Sequence, residues 1–460
     1  MNDPLKVLVD TVQKLLRRGA HRNLRKILAA TRAQDIAGLF RYLSERDRLK
    51  LFSEIENIET RAEVLSEVDP ELMPGFLAEL PDDELVTLLE AMSSDDTVDV
   101  MQHIDEERKA VLLRKMTREE MDEAEDLMRY DPDTAGGIMV PDYFALDEGC
   151  TCAEAILTLQ ERHEELEMAF YVYVINEHEH LVGVISLRQL VVTAPETPLK
   201  AIMETEVVRV VTTDDQEIVA RLVARYNILA IPVVDDSNRL VGIITVDDVI
   251  DVFREEATED MFKMAGAGES VIGEGAGGVF RSARGRLPWL FASWIGGIMA
   301  SSILFSYSER LGKVAVLAAF IPIILGMGGN VGTQSLTVVT RGLALGRIAG
   351  PQVVGVVIRE VLVGLTCGVV YGVLLSIAAT IFTYITAGSI SHDTALFAMT
   401  VGISLCAAMV IAATVGATVP ILLQKLGFDP AVATGPFVTT SVDLLGIVVY
   451  FNVAHLLLNI

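Results

Sequence analysis

Between Gly75 and about Met128 the chain repeats a short amphipathic pattern with a period near 12 residues. Pro81-Asp-Asp-Glu-Leu, Ser93-Ser-Asp-Asp, Asp105-Glu-Glu-Arg and Thr117-Arg-Glu-Glu open successive units. Each opening supplies a capping residue and early acids, and Leu, Val, Met or Ile follow at helical spacing. The pattern predicts short helices stacked in a superhelical array. Helix capping accounts for most of the acids that open the units.

A second repeat lies further along. Leu181-Val-Gly-Val-Ile-Ser-Leu-Arg-Gln-Leu-Val returns 59 residues later as Leu240-Val-Gly-Ile-Ile-Thr-Val-Asp-Asp-Val-Ile. Each copy follows an apolar run, Tyr171–Ile175 or Ala230–Val234, and a polar turn. A helical run precedes each, Ala153–His163 and Asp215–Tyr226, so strand, turn, strand, helix occurs twice. Over about Gly137 to Phe253 this resembles a tandem CBS-domain pair. That resemblance implies an adenine-nucleotide site in which a Ser or Thr and an Asp three residues on hold the ribose. The second copy has Thr245 and Asp248 there; the first has Ser186 followed by Gln189, so at most one competent site is expected, with ATP as the candidate ligand.

Beyond residue 286 the polar positions nearly vanish. Leu287–Tyr307, Val314–Thr340, Val361–Ser391 and Thr394–Gln424 carry no charge, and Pro430–Ile460 carries one acid, Asp443. A bilayer needs about 20 apolar residues per spanning helix, so five transmembrane helices are expected. Arg281, Arg284 and Arg286 precede the first, Arg341 and Arg347 follow the second, and Lys425 follows the fourth. That distribution predicts a cytosolic N-terminus and a C-terminus outside, against Arg310 and Lys313 in the first intervening loop. The mixed-charge opening of the chain predicts no secretory leader.

Charge sharpens the division. The whole chain carries −26; residues 1–280 hold 28 basic and 58 acidic residues, and residues 281–460 hold 9 and 5. A polyanionic body argues against nucleic acid as partner and suits cations or solubility. The four cysteines, Cys150, Cys152, Cys367 and Cys406, form neither a disulfide framework nor a zinc pattern. None of the seven histidines joins a recognisable nucleophile or metal motif, so no enzymatic activity is expected.

Two features point to cation chemistry. An ionised carboxylate at mid-bilayer costs about 2.5–3.5 kcal/mol even on the lenient insertion scale, so Asp443 should face an aqueous path or a partner. A protonated Asp joining two helices is the competing reading. Thr439 and Thr440 share its helical face, and Arg359 with Glu360 lie near a helix end where they can satisfy each other. In the second segment Pro322 and Gly326-Met-Gly-Gly-Asn330-Val-Gly-Thr-Gln334 loosen the backbone and put Asn330, Thr333 and Gln334 on one face. Close packing through small residues is the plain alternative, and Asp443 tips the reading toward a pore lining. Before the membrane, Asp247, Asp248, Asp251, Glu255, Glu256, Glu259 and Asp260 crowd one helical stretch. They repel one another unless a divalent cation neutralises them; a solvated helix face is the alternative. The stretch 266–278 reads as a hinge.

With these parts in order the chain resembles the MgtE family of magnesium transporters and channels, essentially end to end. Tyr130-Asp-Pro-Asp-Thr-Ala-Gly-Gly-Ile-Met139, Glu256-Ala-Thr-Glu-Asp260, Gly328-Gly-Asn-Val-Gly-Thr-Gln334 and Phe437-Val-Thr-Thr-Ser-Val-Asp443-Leu-Leu-Gly446 carry the resemblance. It implies a multidomain membrane protein: a helical N domain over 1–136, CBS domains over 137–198 and 199–256, and a connecting helix and hinge over 257–286. A five-helix transmembrane domain follows over 287–460, with helices near 287–307, 314–340, 353–385, 394–424 and 430–458. It also implies a homodimer in the cytoplasmic membrane, with a central pore where Asp443 binds Mg²⁺ and the Asn330 region adds oxygens. Gly435 offers that pore no side chain. Cytosolic Mg²⁺ would close the pore by bridging acids, with Asp247, Asp248, Asp251, Glu255 and Glu259, N-domain Asp95, Asp96 and Asp99, and Asp429 at the inner mouth as candidates. Asp248 is claimed by both the nucleotide and the Mg²⁺ readings. A CBS-regulated transporter of another divalent cation such as Co²⁺ or Mn²⁺, and a membrane-anchored nucleotide sensor without transport, remain the alternatives.

Overall fold

The computed structural model describes residues 4–162, 170–266, 278–307, 315–348, 350, 352–387, 392–431 and 436–458. It divides into two compact units, Met1–Glu255 and Glu256–Ile460.

The first unit opens with ten short helices: α1 (Pro4–Arg18), α2 (His21–Leu28), α3 (Ala33–Leu39), α4 (Glu45–Ser53), α5 (Ile58–Ser66), α6 (Met73–Glu79), α7 (Asp82–Leu89), α8 (Ser94–Gln102), α9 (Glu106–Leu113) and α10 (Arg118–Leu127). The last four start at residues 82, 94, 106 and 118, so the 12-residue period of the sequence is the helix repeat itself. Of the four capping positions, Asp105 accepts the Arg108 N–H at 3.0 Å, while Pro81, Ser93 and Thr117 make no side-chain cap. Arg108 also donates to the carbonyls of Leu77 and Leu80, covering the end of α6 where helical partners run out. The array has one core, with Phe40, Phe52 and Phe76 at its centre and Phe52 edge-on to Phe76 at 5.0 Å.

Two three-stranded sheets follow, with the same topology. β1 (Ala145–Asp147) lies parallel to β2 (Tyr171–Ile175), which pairs antiparallel with β3 (Leu181–Ser186); β4 (Val210–Val211), β5 (Ala230–Val234) and β6 (Leu240–Thr245) repeat this. Tyr171 faces Ser186 in one sheet and Ala230 faces Thr245 in the other, the same register 59 residues on. The turns match as well: Glu179 and Asn238 both hold positive φ, near 64° and 63°. They exchange backbone hydrogen bonds, Leu181 N–H to Asn238 and Leu240 N–H to Glu179, so the two copies meet turn to turn. Helices α11 (Cys152–Glu161), α12 (Leu187–Val192) and α13 (Gln216–Tyr226) cover the sheets, and α14 runs unbroken from Val246 to Met264. The closing helix of the second copy and the connecting helix are therefore one element.

The N domain is seated on the second copy by a shared apolar core. Val98 of α8 and Ala124 and Leu127 of α10 join Val219, Val223, Ile231, Val249 and Val252 in one buried cluster.

Among the described residues of the second unit five helices are long and apolar enough to cross a membrane: α15 (Gly278–Ser306), α16 (Ile321–Ala344), α17 (Gln352–Ala387), α18 (His392–Lys425) and α19 (Pro436–Leu458). The first begins nine residues before the apolar run and carries Pro288 inside it, so the basic stretch before the membrane is helical. A 3₁₀ segment, Ala315–Phe320, leads into α16 and is tied to α19 by Tyr450 Oη, which donates to the Leu317 carbonyl at 2.8 Å. The central helix is α18, packed on α16, α17 and α19, whereas α15 packs chiefly on α19. Arg310, Lys313, Gly435 and most of the expected hinge lie outside the described residues.

Candidate functional site

Two carboxylate-bearing regions emerge, one in each unit. In the membrane unit, close backbone approach sets the geometry. The Gly328 and Gly332 positions of α16 face Val442 of α19, and a Cβ on Gly332 would stand 3.2 Å from a Val442 methyl. On α18 a Cβ at Gly416 would fall 2.3 Å from the Gly332 carbonyl oxygen, so only glycine fits this crossing. Of these glycines, Gly328 and Gly332 thus close-pack three helices, and α16 remains a regular helix throughout.

That packing turns Asn330, Thr333, Gln334 and Thr337 to the exposed side of α16. Thr333 and Thr337 return their hydroxyls to the carbonyls of Gly329 and Thr333, both at 2.9 Å, as lone polar groups do on a helix. Asp443 follows Val442 directly, is half-buried, and among the described residues makes no hydrogen bond or ion pair. The protein therefore presents a polar face and an unpaired carboxylate on adjoining membrane helices. Lipid does not satisfy such groups, whereas water or a second chain does.

Two membrane expectations change. Thr440 packs its side chain into the space left by Gly296 of α15, where a Cβ would sit 2.0 Å from the Thr440 methyl, so this hydroxyl-bearing side chain serves a helix contact. Arg359 and Glu360 do not satisfy each other. Consecutive helical positions point about 100° apart, and here Arg359 is exposed while Glu360 is buried at 7% exposure.

The acidic region of the first unit is assembled by the Val98 seam. Seating α8 on α14 brings Asp95, Asp96 and Asp99 into the field of Asp247, Asp248 and Glu255. One side of Asp99 stays open to solvent, yet loss of water first, and then Asp95, Asp96, Glu255 and Asp248, push its carboxyl up to about 7. Asp248 rises to about 7 as well, again through burial first, with Asp95 and Asp247 adding to it and hydrogen bonds from Thr245 opposing. Burial likewise raises Asp95 and Glu255. Asp95 Oδ1 is buried and has no hydrogen-bond partner. Asp251 is held outward by Arg254 at 3.0 Å and reaches the group only through its effect on Glu255. Among the described residues no three His, Cys, Asp or Glu side chains are grouped tightly enough to ligate one ion directly. The arrangement instead suits a hydrated divalent ion, since Mg²⁺ dehydrates reluctantly and usually keeps several waters.

Thr245 and Asp248 do come together. Thr245 Oγ1 donates to Asp248 Oδ2 at 2.5 Å, and the Thr245 N–H reaches the same oxygen at 3.2 Å. The hydroxyl also lies 2.5 Å from Asp247 Oδ1. In the first copy Ser186 caps the Gln189 N–H at 3.2 Å, and the Gln189 amide donates to the Ile202 carbonyl at 2.9 Å. The equivalent position there is spent on structure.

Lower on α14, Glu259 and Asp429 are also joined, but by a cation absent from the sequence-based candidates. Lys263 pairs with Glu259 one turn before it and with Asp429 Oδ2 at 2.9 Å. Burial and Asp429 raise Asp260 beside them, while Lys263 and Arg341 oppose the rise. The i, i+4 spacing of Glu259 and Lys263 is visible in the sequence, and the contact to Asp429, 166 residues away, is not.

Comparison with known proteins agrees with this division. A family model described as divalent cation transporter matches residues 321–453, one described as MgtE intracellular N domain matches 31–133, and the CBS domain model matches 135–194 and 199–255. The magnesium transporter MgtE of Thermus thermophilus is 37% identical over 459 residues, covering 98% of this chain and 99% of its own. That of Bacillus subtilis is 35% identical over 440 residues, covering 96% and 95%. Among solved structures, the cytosolic domain of the Mg²⁺ channel MgtE in complex with ATP superposes with a TM-score of 0.51 at 39% identity, covering 53% of this chain and 99% of that one. The soluble part of a magnesium transporter gives 0.50 at 31% identity, covering 55% and 99%. With relatives aligned from end to end and the membrane, N-terminal and CBS segments each matched in the same order, the chain belongs to the MgtE family of magnesium transporters.

Proposed function

We propose that this protein conducts Mg²⁺ across the cytoplasmic membrane as a homodimer, through a pore at the two-fold axis lined by Asp443 and Asn330. The observation that carries this is the unpaired Asp443 carboxylate beside the exposed polar face of α16. A two-fold axis would set two copies of Asp443 opposite each other. One or two carboxylates with amide and carbonyl oxygens suit an ion that keeps most of its water. The N-terminus is cytosolic and the C-terminus outside, as the distribution of Lys and Arg suggests. The exposed apolar surface of α15 and α17 meets lipid.

Regulation is assigned to the acidic seam. Cytosolic Mg²⁺ would be held, through its waters, by Asp95, Asp96, Asp99, Asp247, Asp248 and Glu255, with Asp251 at the margin. The partnerless Asp95 Oδ1 and the raised proton affinities around it fit a missing cation. Glu259 and Asp429 form a second regulatory pair at the inner mouth. Ion binding there closes the pore only insofar as the closed form binds Mg²⁺ more tightly than the open one. ATP is the proposed ligand of the second CBS copy, its ribose held by Thr245 and Asp248. Because Asp248 serves both sites, ATP and Mg²⁺ are coupled there.

The deciding experiment is flux into proteoliposomes with a panel of Mg²⁺, Co²⁺ and Mn²⁺, with and without internal Mg²⁺ and ATP. Flux of Mg²⁺ that internal Mg²⁺ suppresses supports the reading; no flux of any divalent ion returns it to a non-transporting sensor.

A further inference from the structure

The charge of the soluble body is not uniformly negative. Residues 1–32 carry eight basic and two acidic side chains, whereas residues 33–280 carry 20 and 56. The fold gathers these cations. Leu24 and Leu28 anchor α2 in the N-domain core, and the opposite face then presents His21, Arg22, Arg25, Lys26 and Ala29, which share one side of a helix. With Glu56 these residues line a groove of about 540 Å³. The C-terminal end of α1 adds exposed Arg17 and Arg18, brought round by Gly19, which turns the chain with a φ of 62°.

Ordinary helix electrostatics explains part of this. Cations in the last turn complement the helix dipole, which covers Arg17, Arg18, Arg25 and Lys26. It does not cover His21 and Arg22, which open α2, where positive charge is unfavourable and no acid is present. Nearby carboxylates neutralise only part of the face. Arg25 donates to Glu54 and Glu56, both at 2.7 Å, and His21 Nδ1 lies 2.7 Å from Glu54 Oε1. Arg22 and Lys26, four residues apart, have no partner among the described residues, and like charges at that spacing repel. Meanwhile the clamped Arg25 guanidinium stiffens the groove between them.

We propose that this face of α2, with the end of α1, binds a small anion bearing several phosphate charges. The remaining soluble body argues for small size: a long polyanion such as nucleic acid would run off the groove onto strongly acidic surface. Arg22 and Lys26 supply the free charge and Arg25 a fixed donor plane. The site shares no residue with the acidic seam and lies before residue 31, where the N-domain family match begins. It is independent of the Mg²⁺ reading.

The test is binding of inorganic tripolyphosphate, and separately of a soluble short-chain cardiolipin, a lipid with two phosphate groups, to the full-length chain in magnesium-free potassium buffer. Wild type should bind at least one, with affinity falling steeply as salt rises. The double variant Arg22→Ala/Lys26→Ala, two exposed positions, should bind at least about tenfold more weakly. Arg188→Ala/Arg225→Ala, which removes the same charge from the CBS pair, should bind as wild type does. Tripolyphosphate alone assigns a free phosphate compound, and cardiolipin alone assigns a lipid headgroup; either supports the site. Failure to bind both probes, or equal binding by the Arg22/Lys26 variant, overturns it.

Discussion

On the proposed reading, the acidic seam and Asp443 meet the same ion in opposite ways. At the seam six carboxylates from two domains crowd together beside a shared apolar cluster that includes Val98, Val249 and Val252, and several are pushed toward protonation. In the membrane Asp443 stands without a partner among the described residues, beside amide and hydroxyl groups. A crowded site of this kind would gain stability from a cation, which would let binding drive a change of shape. A sparse one would attract an ion without holding it, as conduction demands. A sensor gains from excess charge and a pore is harmed by it.

The sharpest way to break this contrast is to remove the sparse charge. At an effective dielectric near 20, a carboxylate about 4 Å from a unit charge contributes on the order of 4 kcal/mol. Asp443→Ala should therefore lower Mg²⁺ flux in proteoliposomes by a hundredfold or more, on the order of 3 kcal/mol, with the dimer unchanged by size-exclusion light scattering. Flux within a few-fold of wild type would remove Asp443 from the pore.

At the seam the opposite sign is expected. Asp95→Asn/Asp99→Asn/Asp248→Asn should stabilise the first unit in Mg²⁺-free buffer, because it removes repulsion that hydrogen bonds such as those from Thr245 only partly offset. Ligand-linked stabilisation grows as RT ln(1 + [L]/Kd), about 2.7 kcal/mol at a hundredfold excess over Kd, and the triple variant should lose most of it. Thermal melts of the full chain with and without Mg²⁺ check both halves. A variant whose melt still rises with Mg²⁺ as wild type does contradicts the seam assignment.

Much of this contrast can be read from sequence, for reasons of periodicity. The 12-residue period became the starts of α7 to α10, and the 59-residue period became matched strand registers, because local repeats dictate local structure. Asp443 was legible because a charge in an apolar run is conspicuous. The pairing of α8 with α14 was not, since Val98 looks like any buried helical valine until its partners in the second CBS copy are known. Gly332 suggested a loosened backbone and turned out to be a close crossing, because sequence does not say what a glycine leaves room for. Glu360 and Arg359, neighbours in the chain, are separated by the helix itself.

Proton linkage offers a gentler probe of the seam. The Asp99 and Asp248 carboxyls sit at about 7 in the folded protein and near 4 when exposed in the unfolded chain. The folded state thus binds more protons between those values, and stability without Mg²⁺ is full below about pH 4 and declines as pH rises through 7. Hydrogen exchange across α8 in the full chain should show faster opening at pH 8 than at pH 6 without Mg²⁺, and little difference when Mg²⁺ is saturating. Slower opening at pH 8 in metal-free buffer would reverse the sign of the argument.

Lys263 gives the smallest effect and tests where the two designs meet. Its ammonium bridges Glu259 and Asp429, so this pair already has a tethered cation. Any Mg²⁺ bound by Glu259 and Asp429 must displace or share with that ammonium. The bridge is partly exposed, and pairs of this kind contribute about 0.2–1 kcal/mol. Lys263→Gln removes the competitor while keeping a polar side chain. The internal Mg²⁺ concentration that half-closes the channel should therefore fall by about two- to fivefold in flux assays, within that range. If it rises instead, the bridge itself supports the closed state, and Lys263 acts in place of the ion at this pair.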